Sequence, residues 1–343
     1  MLPSIFFKTY LTSRSALYFA ESLPLTALAQ LITGRKRSEF QDPEKLKNLL
    51  QRMDQLLTKD AESFANGDFP WSLLKPSTPL SHAKSFIDVM VDGFWVARRM
   101  RHENSKDFSK VSPEEMEGSP DYYKRNFHFQ SGGYFSRSSA KRYEHQVDIL
   151  FSGTTNAMRR QALKTLLDLK NSKFSALELA CGQGGTTAQF SEIFPKAQLI
   201  ATDLSPSYLQ EAKENLKDKK SVDFLRMDAS NLSFKDESFD VVFSVYLFHE
   251  MPEEMRQKTI KEAYRVLKPG GRLLLADSLQ MGDHPDSDWA LEQFPKSYHE
   301  PFYPNYIRSP LKNYFEKSGF KHLEEDHAFL TKWVVGTKPL APH

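Results

Sequence analysis

The stretch Leu177-Glu178-Leu179-Ala180-Cys181-Gly182-Gln183-Gly184-Gly185-Thr186 carries the strongest structural signal in this chain of 343 residues. A short apolar run passes directly into glycines, so we predict a buried strand, a tight loop and the start of a helix. Glycine at positions 182 and 184 lets the backbone approach a ligand closely. The N-terminus of the following helix favours a carboxylate or a phosphate group.

The glycine loop matches a dinucleotide-binding fingerprint only in part. In the pattern G-x-G-x-x-G counted from Gly182, Gly184 fits, but Thr187 stands where a third glycine is required. Glu178 also places a carboxyl group inside the strand, where a dinucleotide site is usually apolar. An NAD(P)-dependent oxidoreductase is therefore the weaker alternative.

Acidic residues end the next two predicted strands. Asp203 follows Ile200-Ala201-Thr202, and a carboxylate there can accept hydrogen bonds from both hydroxyls of a ribose. Its rival role is to cap the next helix, for which Ser205 is the better candidate. Asp228 and Ala229 end the third strand, where a carboxylate and a backbone N–H can read an adenine ring.

From Phe174 onward, short apolar runs alternate with helical stretches, which indicates parallel strands joined by right-handed crossovers. The predicted strands are 176–181, 198–202, 222–227, 241–245 and 272–276. The predicted helices between them are 186–193, 207–216 and 253–267. Residues 281–310 are predicted to be a loop region. A helix over 310–318 and two strands, 321–325 and 330–336 with a turn at 326–327, follow it.

These motifs, in this order, resemble those of class I S-adenosylmethionine-dependent methyltransferases, and most of all the ubiquinone/menaquinone-biosynthesis (type 11) group. The resemblance covers about residues 174–280 and extends to about residue 337. It implies an open, mostly parallel, seven-stranded Rossmann-like α/β sheet, whose last strand is antiparallel and inserted between strands five and six. The family's acidic-x-Gly-x-Gly-x-Gly loop maps onto Glu178, Ala180, Gly182 and Gly184, with Ala180 in place of the first glycine.

The resemblance also implies S-adenosyl-L-methionine as the cofactor. It implies that Glu178 helps to hold the methionine amino group, that Asp203 binds the ribose and that Asp228 and Ala229 contact the adenine. Ser244 and Val245 would lie near the methionine part, and Tyr143 would touch the cofactor from a preceding helix. The cofactor-binding set predicted here is Glu178, Leu179, Ala180, Cys181, Gly182, Gly184, Asp203, Leu204, Asp228, Ala229, Ser244, Val245 and Tyr143.

Two titratable residues follow the fourth strand, at the edge of the sheet where open α/β proteins bind ligands. His249 and Glu250 are therefore the candidate catalytic residues, because an oxygen or carbon nucleophile needs a base to remove its proton. Capping of the helix over 253–267 or simple lining of the pocket are the competing roles. Cys181 is expected to be a buried small residue rather than a nucleophile.

Two aromatic-rich segments, 122–143 and 289–306, are predicted to form the substrate walls. Tyr134, Tyr246, Tyr298 and Tyr303 are the candidate substrate-lining residues. Aromatic rings there would enclose an apolar or ring-shaped acceptor, or attract a sulfonium group by a cation–π interaction. The competing interpretation is that they pack the helical region onto the sheet.

The amino-acid composition limits which partners, metal sites and membrane segments can be expected. The 46 Lys and Arg residues nearly balance the 44 Asp and Glu residues, so no nucleic-acid partner is expected. The single cysteine, Cys181, excludes an internal disulfide and a cysteine-based metal site, and no metal is expected. No apolar run is long enough to predict a membrane span.

The chain divides into three predicted regions: a helical N-terminal region over 1–110, aromatic-rich connecting helices over 111–170, and a methyltransferase domain over 171–343. Residues 1–37 carry five basic residues and one acid, Glu21. They fit a helix packed on its own domain, a helix in peripheral contact with a membrane surface, or an organelle presequence. We accordingly expect a cytoplasmic protein, with the organelle matrix as the alternative.

The predicted function is methyl transfer from S-adenosylmethionine to a small-molecule or lipidic acceptor, at oxygen or carbon, by in-line displacement. The main alternative is a catalytically silent binding or assembly protein that keeps the methyltransferase shape.

Overall fold

The computed structural model describes residues 2–34, 42–109 and 111–340. Its centre is a seven-stranded sheet with the strand order β3-β2-β1-β4-β5-β7-β6. The strands are β1 (Ser175–Leu179), β2 (Gln198–Asp203), β3 (Val222–Arg226), β4 (Phe239–Val245), β5 (Leu267–Ser278), β6 (Lys321–Ala328) and β7 (Thr331–Thr337).

The strand directions agree with the predicted methyltransferase topology. Strands β1 to β5 pair in parallel, whereas β7 is antiparallel to both of its neighbours and lies between β5 and β6. The hairpin turn lies at 329–330, however, and not at the predicted 326–327. Pairing of Ala328 with Thr331 extends the ladder past the polar residues on which that prediction rested.

Twelve α-helices accompany the sheet within the described residues. They are α1 (Leu2–Thr33), α2 (Pro43–Ala65), α3 (Pro79–His102), α4 (Pro113–Met116), α5 (Arg137–Leu150), α6 (Thr155–Leu163), α7 (Gly185–Ile193), α8 (Pro206–Asn215), α9 (Glu253–Val266), α10 (Asp288–Ser297), α11 (Tyr303–Tyr306) and α12 (Leu311–Ser318).

The loop predicted over 281–310 is wrong in part, because α10 and α11 lie inside it. The prolines of this segment suggested a break in regular structure. Pro295 instead lies inside α10, where it removes one intrahelical hydrogen bond, and the helix ends two residues later at Ser297. The predicted cap is confirmed, since Ser205 Oγ accepts the Tyr208 N–H at 3.1 Å and starts α8.

The N-terminal helices pack onto the rest of the molecule. Helix α1 contacts α2, α3 and α5, in agreement with the first interpretation of the N-terminus. Phe7 and Leu11 of α1 belong to the same buried cluster as Phe190 and Phe243 beside the sheet. Residues 35–37, the basic end of the predicted start, lie outside the described residues. Among the described residues, no helix has the length and apolarity needed to cross a membrane.

A buried ion pair strengthens this attachment. Asp60 of α2 accepts hydrogen bonds from Arg160 of α6 at 3.0 Å, to Nε, and at 2.5 Å, to Nη2. Both side chains are almost fully buried, and Arg160 also lies over the ring of Phe64. Only a 3-10 helix, Lys164–Leu169, separates α6 from β1, so this pair joins the N-terminal region to the segment that leads into the sheet.

Candidate active site

A cavity lies at the carboxyl ends of β1 to β4, and the loop after β1 forms its floor. Ala180, Gly182 and Gly184 all have positive φ, at 56°, 58° and 93°. A Cβ on Gly182 would have only one neighbour, Tyr208 Cδ1 at 4.0 Å, so space for a ligand lies in front of it. A Cβ on Gly184 would lie 2.8 Å from Leu216 Cδ1, so this glycine permits the packing of α8. The two predicted glycines therefore have different tasks.

Glu178 lies beneath this loop and does not line the cavity. Thr187 Oγ1 donates a hydrogen bond of 2.6 Å to its Oε2. Burial raises the pKa of Glu178 to about 8, although the Thr187 hydrogen bond and the charge of Arg159 act in the opposite direction. A cation placed close to Glu178 would stabilise its carboxylate.

Asp203 lines the cavity and also holds the glycine loop in place. Its Oδ2 accepts the Gly182 N–H and its Oδ1 accepts the Ser205 N–H, both at 2.8 Å. Burial raises the pKa of Asp203 to about 6 in spite of these backbone hydrogen bonds. Because a carboxylate has about four acceptor positions, it retains capacity for ligand hydroxyls.

The end of β3 supplies the next acidic group. Asp228 Oδ1 accepts hydrogen bonds from Ser230 N and Ser230 Oγ, both at 2.8 Å. Asp228 and Ala229 line the cavity, together with Leu204 and Met227. The structure thus brings the predicted ribose and adenine residues to one wall, which we name the donor wall: the loop over 180–185, Asp203, Leu204 and 227–229.

Four further predicted cofactor residues divide into two that line the cavity and two that do not. Val245 lines the cavity and Cys181 does so as a buried thiol. Ser244 points into the sheet, where its Oγ donates a hydrogen bond of 2.9 Å to the Leu179 carbonyl. Leu179 itself is buried in the core on the other side of the sheet. This geometry does not favour a direct contact between the cofactor and the side chain of Ser244 or Leu179.

Tyrosines cover the opposite side of the cavity. Tyr122, Tyr123, Tyr134 and Tyr143 come from the segment before β1, and Tyr208 comes from α8. Burial raises the pKa of these phenols, so they stay protonated at neutral pH. We call this surface, with Tyr246 and Glu250, the lid wall.

The predicted tyrosines divide into two groups. Tyr134, Tyr143 and Tyr246 line the cavity. Tyr303 does not, because its hydroxyl is hydrogen-bonded to Ser278 Oγ at 2.7 Å and its ring packs on Phe294. Tyr298 also packs on Phe294, outside the cavity. Sequence reasoning missed Tyr122, Tyr123 and Tyr208, although the first two lie in the aromatic-rich segment that it singled out.

The two candidate catalytic residues lie in different environments. Glu250 lines the cavity, and its Oε1 accepts a hydrogen bond from the Tyr134 hydroxyl and lies 3.3 Å from His128 Nε2. His249 does not line the cavity: its Nδ1 lies 2.7 Å from Asp277 Oδ1, and its Nε2 lies 3.9 Å from Glu250 Oε1. Burial alone lowers the pKa of His249, but Asp277 outweighs it and raises this pKa to about 9. His249 is therefore protonated at neutral pH and poorly suited to accept a proton.

His128 extends the polar cluster behind Glu250. Its Nδ1 lies 2.9 Å from Glu300 Oε1, so its ring stands between two carboxylates. Burial lowers the pKa of His128, but Glu300 and Glu250 outweigh burial and raise it well above the ordinary value. The cation of His128 thus compensates the charge of Glu250 next to the cavity.

An ion pair that no sequence motif indicated also lines the cavity. Arg159 Nη1 donates a hydrogen bond of 2.7 Å to Glu144 Oε2, and both residues line the cavity. A Cβ on Gly185 would lie 2.0 Å from Glu144 Oε1, so glycine at this position makes room for the pair. Arg159 Nε is buried without a hydrogen-bond partner within the described part of the chain. In the sequence, only an arginine on the buried face of α6 indicated this ion pair.

Comparisons with known proteins agree with this arrangement. The model of a family described as "Methyltransferase domain" matches residues 176–271. A demethylmenaquinone methyltransferase of Lactococcus lactis is 37% identical over 123 residues, which are 35% of this chain and 47% of that protein. A ubiquinone/menaquinone biosynthesis C-methyltransferase of Pseudoalteromonas translucida is 31% identical over 144 residues, 41% of this chain and 56% of that protein.

Among solved structures, a putative S-adenosylmethionine-dependent methyltransferase of Methanococcus maripaludis has a TM-score of 0.45 at 16% identity, over 60% of this chain and 95% of that one. The chain spans about half the length of the curated relatives it matches. The family match confirms the predicted resemblance to class I methyltransferases. It also agrees with the predicted methyltransferase domain, since the relatives it resembles are named methyltransferases.

Proposed function

We propose that this chain, which carries a class I methyltransferase domain, transfers a methyl group from S-adenosylmethionine to an aromatic or quinol-like, lipidic acceptor. The observation that carries the proposal is the meeting of the glycine loop, Asp203 and Asp228 in one cavity that tyrosines cover. Relatives named as a demethylmenaquinone methyltransferase and as a ubiquinone/menaquinone biosynthesis C-methyltransferase support the acceptor class.

The residues present fit this cofactor. The buried, unpartnered Arg159 Nε suits the carboxylate of an amino acid. Glu178 does not line the cavity, and from its place beneath the loop its carboxylate would attract the ammonium group. Asp203 would bind the ribose hydroxyls, and Asp228 with Ala229 would contact the adenine. When bound, S-adenosylmethionine supplies an electrophilic methyl group on a sulfonium sulfur. Gly182 leaves the space in front of the loop that a ligand needs.

We assign the role of general base to Glu250. It is the carboxylate on the lid wall, whereas His249 is an imidazolium paired with Asp277. Glu250 would take the proton of an acceptor hydroxyl or acidic carbon as the methyl group is transferred. His128 and the Tyr134 hydroxyl would hold Glu250 in position and stabilise its charge.

Thermal unfolding tests the cofactor. S-adenosylhomocysteine at one hundred times its dissociation constant adds about 2.7 kcal/mol, which raises the melting temperature by a few degrees. NAD at the same concentration should give no shift. A shift with NAD alone would instead support the oxidoreductase alternative.

Labelled methyl transfer tests the reaction. With methyl-labelled S-adenosylmethionine, a demethylnaphthoquinol with an isoprenoid tail should take up label, and simple phenols should take up less. Binding of S-adenosylhomocysteine without label in these acceptors or in a cell extract would support the catalytically silent alternative.

The outer surface of the N-terminal helices suits delivery of a lipidic acceptor. Helices α1 and α3 expose large apolar side chains, among them Leu31 and Leu80, both 83% exposed. We infer a peripheral contact with a membrane surface here. Vesicles of phosphatidylcholine and phosphatidylglycerol should sediment the intact chain, and the Leu31→Ser/Leu80→Ser variant less of it. Leu225→Ser, which changes an exposed leucine of β3, is the matched control and should not alter sedimentation.

A further inference from the structure

Three helices outside the cavity bring one carboxylate and two imidazoles together. Glu21 comes from α1, His82 from α3 and His145 from α5. His82 Nε2 lies 2.7 Å from Glu21 Oε1, and His145 Nε2 lies 3.1 Å from Glu21 Oε2. The two imidazole rings are 4.8 Å apart, so both ring nitrogens face the same small volume.

The polar atoms of this cluster are not all satisfied by the protein. Glu21 and His145 are each 8% exposed. Glu21 Oε2 and His145 Nε2 are buried without a hydrogen-bond partner in the described ranges, although they are 3.1 Å apart, because they are not aligned for a hydrogen bond. Buried polar atoms normally have a partner, so an unaligned pair at this distance indicates a ligand that both atoms contact.

We propose that Glu21, His82 and His145 bind a zinc ion. One ligand atom from each residue lies within 4.8 Å of the others, a spread that a single ion can draw together. Two imidazoles and one carboxylate are a zinc ligand set, and a water molecule would complete the tetrahedron. Magnesium and calcium prefer oxygen ligands alone, and nickel is the competitor that the test includes.

The surroundings suit a structural ion. The ring of Tyr18 lies 5.4 Å from His82 and 5.3 Å from His145, which restricts water around the cluster. None of the three ligands lines the cavity. His145 follows Tyr143 and Glu144 on α5, and these two residues do line it. Zinc would thus fix α5, and with it part of the lid wall, to α1 and α3.

Calorimetric titration with zinc chloride tests the site on the full chain after chelator treatment. We expect one zinc ion per chain, a raised melting temperature, and weaker binding of nickel. His145→Ala and His82→Ala should each weaken zinc binding at least 100-fold, whereas His102→Ala, an exposed histidine on α3, should leave it unchanged.

Two further measurements keep the test decisive. If the alanine variants do not fold, Glu21→Gln keeps the side-chain shape and should still lower zinc affinity at least tenfold. Cobalt in place of zinc should give the visible absorption of a tetrahedral site. Absence of stoichiometric zinc binding by the folded chain, or unchanged binding in folded His82→Ala and His145→Ala, would overturn the proposal and leave a metal-free His–Glu–His cluster.

Discussion

The donor wall and the lid wall of the cavity are built in different ways. The donor wall consists of residues that directly follow β1, β2 and β3, and parallel strands bring their carboxyl ends to one edge by the geometry of the sheet. The lid wall combines side chains from 122–143, from α8 and from the segment after β4. Local sequence therefore determines the first wall, whereas tertiary packing determines the second. We expect the donor wall to serve the cofactor and the lid wall to serve acceptor and proton transfer.

The strongest test of this division is Glu250→Gln. Loss of the general base should lower kcat by about 10²- to 10⁴-fold, while the affinity for S-adenosylhomocysteine should stay within about twofold. Single-turnover methyl transfer and calorimetry measure the two quantities. Glu254→Gln, an exposed residue of α9, is the control. An unchanged rate would remove Glu250 from the reaction.

Asp203→Ala tests the donor wall. It should weaken S-adenosylhomocysteine binding by about 1.5–3 kcal/mol, the scale of hydrogen bonds to a charged group. Since Asp203 also accepts the Gly182 N–H, Asp203→Asn separates the two roles by keeping one carbonyl acceptor. Calorimetry gives both affinities, and equal affinity in wild type and the alanine variant would exclude Asp203 from cofactor binding.

The pH dependence of cofactor affinity tests Glu178. Its pKa of about 8 in the free protein means that the carboxyl group is mostly protonated at pH 7. Because the cofactor's ammonium group needs the carboxylate, affinity should rise by up to tenfold per pH unit below about pH 8 and level off above it. Titrations from pH 6 to 9 should show this slope in wild type, and Glu178→Gln should flatten it. A flat wild-type profile would separate Glu178 from the cofactor.

Ala180→Gly gives the smallest expected effect. Ala180 has φ 56°, a backbone conformation that costs an L-residue about 1–2 kcal/mol. Glycine removes this strain, but its greater freedom in the unfolded chain offsets part of the gain in stability. We expect the free energy of unfolding to rise by about 0.5–1 kcal/mol in urea titrations, with unchanged cofactor affinity. A less stable variant would mean that packing of the alanine methyl group outweighs the backbone cost.

The two walls also show what sequence can predict. The parallel sheet and the donor-wall residues followed from motifs at strand ends, because register and chain direction fix their positions, whereas the inserted antiparallel strand was implied by the family resemblance. Arg159 and Tyr208 were missed, since a buried helical arginine or tyrosine carries no local sign of which cavity it meets. The different surroundings of Glu250 and His249 could not be predicted either. The two residues are adjacent in a short 3-10 turn, and its conformation decides which side chain lines the cavity.

The buried pair of Asp60 and Arg160 decides whether the sheet can be separated from the N-terminal helices. In the full chain, removal of the Asp60 carboxylate alone would leave the guanidinium of Arg160 buried and unpaired, which costs about 3–5 kcal/mol. The sheet and the N-terminal helices of the full chain should therefore melt in one transition and not in two. If this domain is isolated or fused to another protein, helix α2 must be kept as part of it.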